Sequence, residues 1–181
     1  QLIQDAIRHG INILPLDVNK SHWNHKLLPQ KNWKTIRLGL RLIKNLSHNG
    51  ASHITNAVKE KPFKNITDLR QRGKLDQKDM GALARADALK SITGSRRNSI
   101  WEISAPTSPY PLLEPEGDEQ KSTSNKISLP STSVIQEVLA DYQATGISLR
   151  PHPIKIIRKY APFNKCKPNS ELSAFNSKRF V

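Results

Sequence analysis

A single cysteine, Cys166, and a single methionine are spread over the 181 residues of this sequence. One thiol excludes an internal disulfide and a cysteine-ligated metal cluster, and it suits a reducing compartment such as the cytoplasm. Aromatic residues make up only 6% of the chain and hydrophobic residues 36%. That is lean for one large core and points to small modules with exposed connections. No apolar run approaches the ~20 residues that span a bilayer, and no strongly amphipathic basic helix stands out, so a membrane is not expected as a partner. There is no glycine-rich nucleotide loop and no secretory leader. No pair of carboxylates has a setting suited to two-metal chemistry. Asp17 stands alone, Asp68, Asp76 and Asp79 read as surface positions on helices, and Glu114, Glu116, Asp118 and Glu119 cluster in a segment too flexible to hold metal geometry. No catalytic residue, metal site or cofactor site is therefore expected within this sequence. The opening residues, Gln1-Leu2-Ile3-Gln4-Asp5, contain no initiator methionine, and the chain reads as a piece of something longer.

Negative charge is scarcest where it matters most. From Val18 to Lys59 there is no Asp or Glu, while Lys20, Lys26, Lys31, Lys34, Arg37, Arg41, Lys44 and Lys59 are all basic. Over the whole chain 29 Lys and Arg face 15 Asp and Glu, a net charge of +14. Nineteen of the cations and seven of the acids lie in residues 1–100, so the second half is close to neutral. A solvated surface mixes signs, and a long one-signed stretch repels itself unless a polyanion neutralises it. The partner of the first half is read as nucleic acid, and the second half has another role.

Within that basic run the stretch from Thr35 to Lys61 carries the strongest pattern. Ile36, Leu38 and Leu40 alternate with Arg37, Gly39 and Arg41, the period of a short half-buried strand. From Arg41 the spacing changes, placing Leu42, Ile43 and Leu46 as on a short helix. Ser47-His48-Asn49-Gly50 is expected to form a turn, and Ile54 and Val58 mark one face of a second helix. Helix, polar hairpin, helix, with Lys44 at the bend, is the layout of a phosphate clamp: the free amides of the hairpin and of the second helix's first turn can donate to a phosphate without reading bases. An ordinary helical pair joined by an Asn-Gly turn has the same pattern, and the charge favours the clamp.

The remaining segments are read in order. Leu2, Ile3, Ala6 and Ile7 form a helical stripe ended by Gly10, and Ile11 to Leu14 is extended up to Pro15. Asp17 to His25 is polar loop. There His22 and His25, with His48 and His53 elsewhere, lack the carboxylate or cysteine a metal site would add. Trp23 and Trp33 could stack on bases but read more naturally as loop anchors. Asn65 caps a short helix beginning Ile66-Thr67-Asp68-Leu69. A third helix covers Asp76 to Ala86, with Leu75, Met80, Leu83 and Leu89 on its buried side, and a fourth covers Ser95 to Ile103. Residues 105–131, with five prolines and clustered Ser, Thr, Gly and acidic residues, read as a linker. Ser133 to Tyr142 is a helix closed by Gly146, with Val134, Val138, Leu139 and Tyr142 as a docking stripe. Arg150-Pro151-His152-Pro153 is a rigid corner, and Lys178 to Val181 reads as a strand cut short.

The order of segments resembles a known family. Gln4 to Asn19 (QDAIRHGINILPLDVN) looks like the end of the fingers region of bacterial C-family DNA polymerases, related to the DNA polymerase III alpha subunit. Ile36 to Lys44, Pro62-Phe63, Thr67-Asp68-Leu69 and Leu83-Ala84-Arg85-Ala86-Asp87-Ala88-Leu89 continue as that family's helix-hairpin-helix module. Ser21-His22-Trp23, Arg96-Arg97 before Ile100-Trp101-Glu102, and above all Asp141 to Pro153 (DYQATGISLRPHP) resemble the error-prone, translesion branch. The resemblance runs in order through nearly all 181 residues. It implies a mainly α fragment from the C-terminal half of such an enzyme: residues 1–34 the end of the fingers, 35–104 a helix-hairpin-helix bundle, 105–131 a Pro/Ser linker, 132–160 a helical connector, and 161–181 the start of a truncated OB-type β-barrel. It implies double-stranded DNA as partner, other translesion or replication proteins as further partners, and Mg2+ for the whole polymerase, whose metal-binding aspartates lie upstream. Arg37, Arg41, Lys44, Asn45, Ser47, Asn49 and Gly50 are the residues expected at the DNA backbone. Two departures are visible. Asn45 stands where the family has glycine, although Asn is the next-best residue for a left-handed backbone. Tyr110-Pro111-Leu112-Leu113-Glu114 lacks the aromatic of a sliding-clamp peptide, so clamp contact does not carry over. Two other readings stay open on the residues alone: a stand-alone nucleic-acid-binding module without catalytic activity, and an adaptor that docks a protein through the linker and the helix from Ser133.

Overall fold

The structure, a computed structural model, describes residues 2–29, 34–104, 130 and 132–166. Trp33, most of the expected linker with its Tyr110–Glu114 element, and 167–181 lie outside the described residues. The chain opens with helix α1 (Leu2–Arg8). Gly10 follows at φ +76°, and the Ile11 amide donates back to the Ala6 carbonyl, which terminates the helix as its glycine foretells. Strand β1 (Asn12–Leu14) comes next, then β2 (Lys26–Leu28) and β3 (Thr35–Arg37). The sheet order is β1-β3-β2, with β3 parallel to β1 (Ile13 opposite Ile36) and antiparallel to β2 (Leu27 opposite Ile36). Strand β2 is absent from the sequence expectation because three residues, Lys-Leu-Leu, carry no measurable period.

After β3 the chain makes a 3-10 turn (Leu40–Leu42) and enters α2 (His48–Glu60). Helices α3 (Ile66–Gly73) and α4 (Gln77–Arg85) follow, then α5 (Lys90–Thr93) and α6 (Arg96–Ser104). Their starts are written in single residues. Asn65 accepts from the Asp68 amide and Asp76 from the Asp79 amide, each N-cap contributing about 1 kcal/mol. The core holds Leu40, Ile54, Leu69, Met80, Leu83 and Leu89 fully buried, together with Leu16 and Val18 from the first 34 residues. The Asp17 to His25 loop is tied in at several points. The Asn19 side chain accepts from the Phe63 amide (2.7 Å) and donates to the Phe63 carbonyl (3.0 Å), acting as a one-residue strand partner at the end of α2. Asp17, expected to stand alone, accepts from the Asn19 amide and the Ser91 hydroxyl.

Helix α7 (Val134–Thr145) carries the capping box of Ser133 and Gln136 and ends at Gly146, φ +77°. Its expected docking stripe is only partly used. Val138 is buried, but Val134, Leu139 and Tyr142 remain exposed. The helix docks instead through charge, because the Arg96 and Arg150 guanidiniums converge on Asp141 and Glu137. Arg96 pairs with Asp141 and, at 3.1 Å, with Glu137; Arg150 meets Asp141 at 2.6 Å, Glu137 at 2.9 Å and Asp87 at 3.3 Å. Ser148 also donates to Asp141 (2.6 Å). This pattern was invisible in sequence because the partners lie up to 63 residues apart. Helix α8 (Pro153–Ile157) and a 3-10 turn (Phe163–Lys165) complete the described chain. Of the expected barrel start only residues 161–166 are described, and they hold no strand.

Burial pushes the Asp87 carboxyl above its usual range, although Arg96 and Arg150 pull it down, and its Oδ1 has no partner among the described residues. Burial alone would lower the Arg150 guanidinium, yet its hydrogen bond to Asp141 and the charges of Asp141 and Glu137 hold it above the ordinary arginine value. A raised carboxyl binds its proton more tightly in the folded state than in the unfolded chain. The Asp87 contribution to stability therefore falls as pH rises from the ordinary carboxylate value to the raised one. Denaturant unfolding followed upward from about pH 4 is expected to give a flatter profile for Asp87→Asn than for the parent. Asp141→Ala, which leaves the buried Arg96 and the half-buried Arg150 short of an acceptor, is expected to lose about 3 kcal/mol at neutral pH in the same measurement.

Candidate nucleic-acid interface

The hairpin lies a few residues earlier than the Asn-Gly signal suggests. Ser47 is the N-cap of α2, its hydroxyl accepting from the Gly50 amide (2.8 Å), so His48, Asn49 and Gly50 form the helix's first turn rather than a loop. The reversal occupies Ile43 to Ser47 and is made possible by Asn45 at φ +66°. Asn is one of the few residues apart from glycine that tolerate this conformation, so the expected left-handed turn is present despite the missing glycine.

What holds the hairpin in place is Asp79 from the first turn of α4. One carboxylate oxygen accepts from the Ser47 amide (2.8 Å), the other from the Ser47 hydroxyl (2.7 Å). Asp79 is 5% exposed, so the expectation of a surface acid is overturned: its charge is needed inside, at the positive end of α2. Gly50 makes room for it. A Cβ at that position would stand 2.2 Å from the Asp79 Oδ2, so glycine serves close packing here rather than a turn.

The expected contact residues therefore divide. Ser47 and Gly50 spend their amides internally, and the Lys44 amide donates to the Ala144 carbonyl of α7 (2.9 Å) while its ammonium reaches the Tyr142 carbonyl (3.2 Å). Among the described residues nothing accepts from the amides of Asn45, His48 or Asn49, and all three residues are exposed. Arg41 is exposed and its guanidinium donates to the Asn24 side chain (3.3 Å), whereas half-buried Arg37 donates to the Pro15 carbonyl (3.1 Å). His48 escaped the sequence reading because it looked like part of a generic turn. Its ring packs edge-on against Trp23, centroids 4.7 Å apart, which anchors Trp23 beside the hairpin. His25 accepts from the Gly39 amide through Nδ1 (3.0 Å), and a Cβ at Gly39 would sit 2.4 Å from the Asn24 backbone, so residues 22–25 are locked onto the approach to the hairpin.

The magnesium implied for a whole polymerase finds no fitting donor set here. Among the described residues no group of three metal-binding side chains comes together. Asp87, Glu137 and Asp141, which Arg150 bridges, are engaged by guanidiniums instead.

The Gly50 contact generates a test with an unusual sign. Helix propensity alone would make Gly50→Ala stabilising by about 1 kcal/mol. Displacement of Asp79 is expected to reverse this, giving a net loss of about 1–3 kcal/mol in thermal or urea unfolding.

Comparison with known proteins agrees with this geometry. A family model described as a helix-hairpin-helix motif matches residues 10–99, taking in the sheet as well as the helices α2 to α5. An error-prone DNA polymerase of Saccharophagus degradans is 38% identical over 186 aligned residues, covering 100% of this chain, and one of Teredinibacter turnerae is 36% identical, also over 100%. A third, from Pseudomonas syringae pv. tomato, is 34% identical over 99% of the chain. The chain spans only 17–18% of the length of these relatives. From end to end, then, this chain, with its own helix-hairpin-helix match over residues 10–99, is homologous to one segment of the bacterial error-prone DNA polymerases.

Proposed function

We propose that the chain is the duplex-gripping segment of an error-prone DNA polymerase and holds the sugar-phosphate backbone of double-stranded DNA without reading its sequence. The observation that carries this reading is the hairpin. Three exposed residues with unspent amides, Asn45, His48 and Asn49, sit at the N-terminus of a 13-residue helix, inside a stretch of the chain without acids. A backbone phosphate accepting from them gains both the amide hydrogen bonds and the favourable end of the helix dipole. Arg41 adds an exposed cation beside the site, and Lys44 holds the bend to α7, with Arg37 supporting the strand behind it. Ser47 and Gly50 act one step back, by fixing the amides in place through Asp79.

Nucleotidyl transfer belongs to parts of the polymerase outside these residues, where paired carboxylates would hold Mg2+. The segment itself contributes grip and orientation. DNA as partner places the protein in the cytoplasm, and among the described residues no helix is long and apolar enough to cross a membrane.

Fluorescence anisotropy with labelled duplexes of unrelated sequence tests the proposal. Affinities are expected to agree within about twofold across sequences. Log affinity against log salt is expected to fall with a slope near −4 to −5, the value for about five neutralised phosphates. A flat salt response removes the proposal. Arg41→Gln and Asn49→Asp are expected to weaken every duplex alike, the second more strongly because it sets a negative charge at the helix N-terminus; a loss confined to one sequence contradicts backbone gripping.

A further inference from the structure

Where α7 closes over the hairpin it leaves a cavity of about 240 Å3 whose lining includes Lys44, Asn45, Arg85, Arg96, Ile100 and Gln143. Three of these are cations, and among the described residues no Asp or Glu lines it. The Arg85 guanidinium, on the last turn of α4, lies over Gly81 and has neither an acid nor a hydrogen-bond acceptor among the described residues. Arg96 is 6% exposed, and its Nε is buried without a partner, although its other nitrogens pair with Asp141 and Glu137. The Asn45 and Gln143 side-chain amides likewise make no hydrogen bond among the described residues. The buried Arg96 Nε left unmatched is costly, and Arg85, unlike Arg96, has no acid beside it among the described residues to offset its charge. The opposing influence is the carbonyl end of α7, and there the Lys44 ammonium already covers the Tyr142 oxygen.

We propose that this cavity is a second phosphate site, with Arg85 as its principal ligand and the Asn45 and Gln143 amides as supporting donors, and that it takes a phosphodiester of the strand held by the hairpin. The inference rests on the reading of the hairpin as a backbone clamp and extends its footprint onto α4 and α7. Asn45 belongs to both sites, through its unspent backbone amide and as part of the cavity lining. A guanidinium suits the role because its planar fork matches two phosphate oxygens at once. The arrangement also explains a cation left unpaired in a region where Arg72, Arg96 and Arg150 are all engaged.

The test uses the 181-residue chain, a labelled duplex and a salt titration. Arg85→Gln is expected to weaken the duplex about fivefold and to make the log–log salt slope shallower by about 0.9, the loss of one phosphate contact. Lys78→Gln, which removes an exposed charge from the same helix away from the cavity, leaves both quantities unchanged. Arg85→Lys restores the slope but only part of the affinity, since an ammonium supplies the charge without the fork. Arg85 is exposed, so thermal unfolding of Arg85→Gln coincides with the parent. If Arg85→Gln behaves as Lys78→Gln does, the proposal is overturned. It is overturned equally if Arg85→Gln abolishes binding of a nucleoside monophosphate in calorimetry yet leaves duplex affinity and slope intact, because the cavity then serves a free ligand. Loss in Arg41→Gln with none in Arg85→Gln leaves the clamp standing and removes the cavity site, whereas loss in Arg85→Gln with none in Arg41→Gln removes the clamp and, with it, the strand the cavity site was assigned to extend.

Discussion

The geometry of the hairpin depends on one carboxylate placed where an external anion would otherwise sit. Asp79 faces the first turn of α2 and takes both the amide and the hydroxyl of Ser47. Burying an acid is tolerable only when dipoles and donors replace its water, and here the helix N-terminus supplies them. In exchange the start of α2 is held from a neighbouring helix, and the chain around it arrives at DNA already shaped. Preorganisation of this kind reduces the ordering cost of binding rather than adding contacts. The amides not used by Asp79, those of Asn45, His48 and Asn49, are the ones left for a ligand.

Local chemistry was legible. Asn65, Asp76, Ser133, Gly10 and Gly146 mark their helix ends in the sequence and do so in the structure. The alternation around Ile36 and the helical spacing of Ile54, Leu83 and Met80 indicated strand, helix and buried face in turn. What sequence could not carry was distance. Gly50 after Asn49 is a turn signal on any local reading, and only the arrival of Asp79, 29 positions later, reveals it as a packing glycine. The same holds for Asp79 itself, which looks like a solvated helix acid until Ser47 is brought beside it. Three-residue β2 and four-residue α5 are too short for their periods to register.

The charge asymmetry of the chain also acquires a structural cause. Acids of the second half, Glu137 and Asp141, are turned onto Arg96 of the first half and Arg150 of their own, so α7 is held by ion pairs while most of its apolar face stays outside. A buried network of this type contributes little net stability but strongly penalises loss of any single member. It positions α7 so that its carbonyl end meets Lys44, which joins the connector to the hairpin. Elsewhere in the first half Lys20 pairs with Asp17 and Arg72 with Asp68, while Arg41 and Lys44 stay exposed beside the hairpin.

The meeting of Lys44 with Tyr142 and Ala144 spans about a hundred positions of sequence, and it implies that covalent continuity between α6 and α7 is not what keeps them together. The closure entropy of any such connection grows only slowly with its length. A chain severed there, or one with extra residues inserted, would retain the same set of complementary surfaces. The two pieces would be partners in reassembly, as a receptor and its peptide are, with Asp141 as the plug and Arg96 as part of the socket.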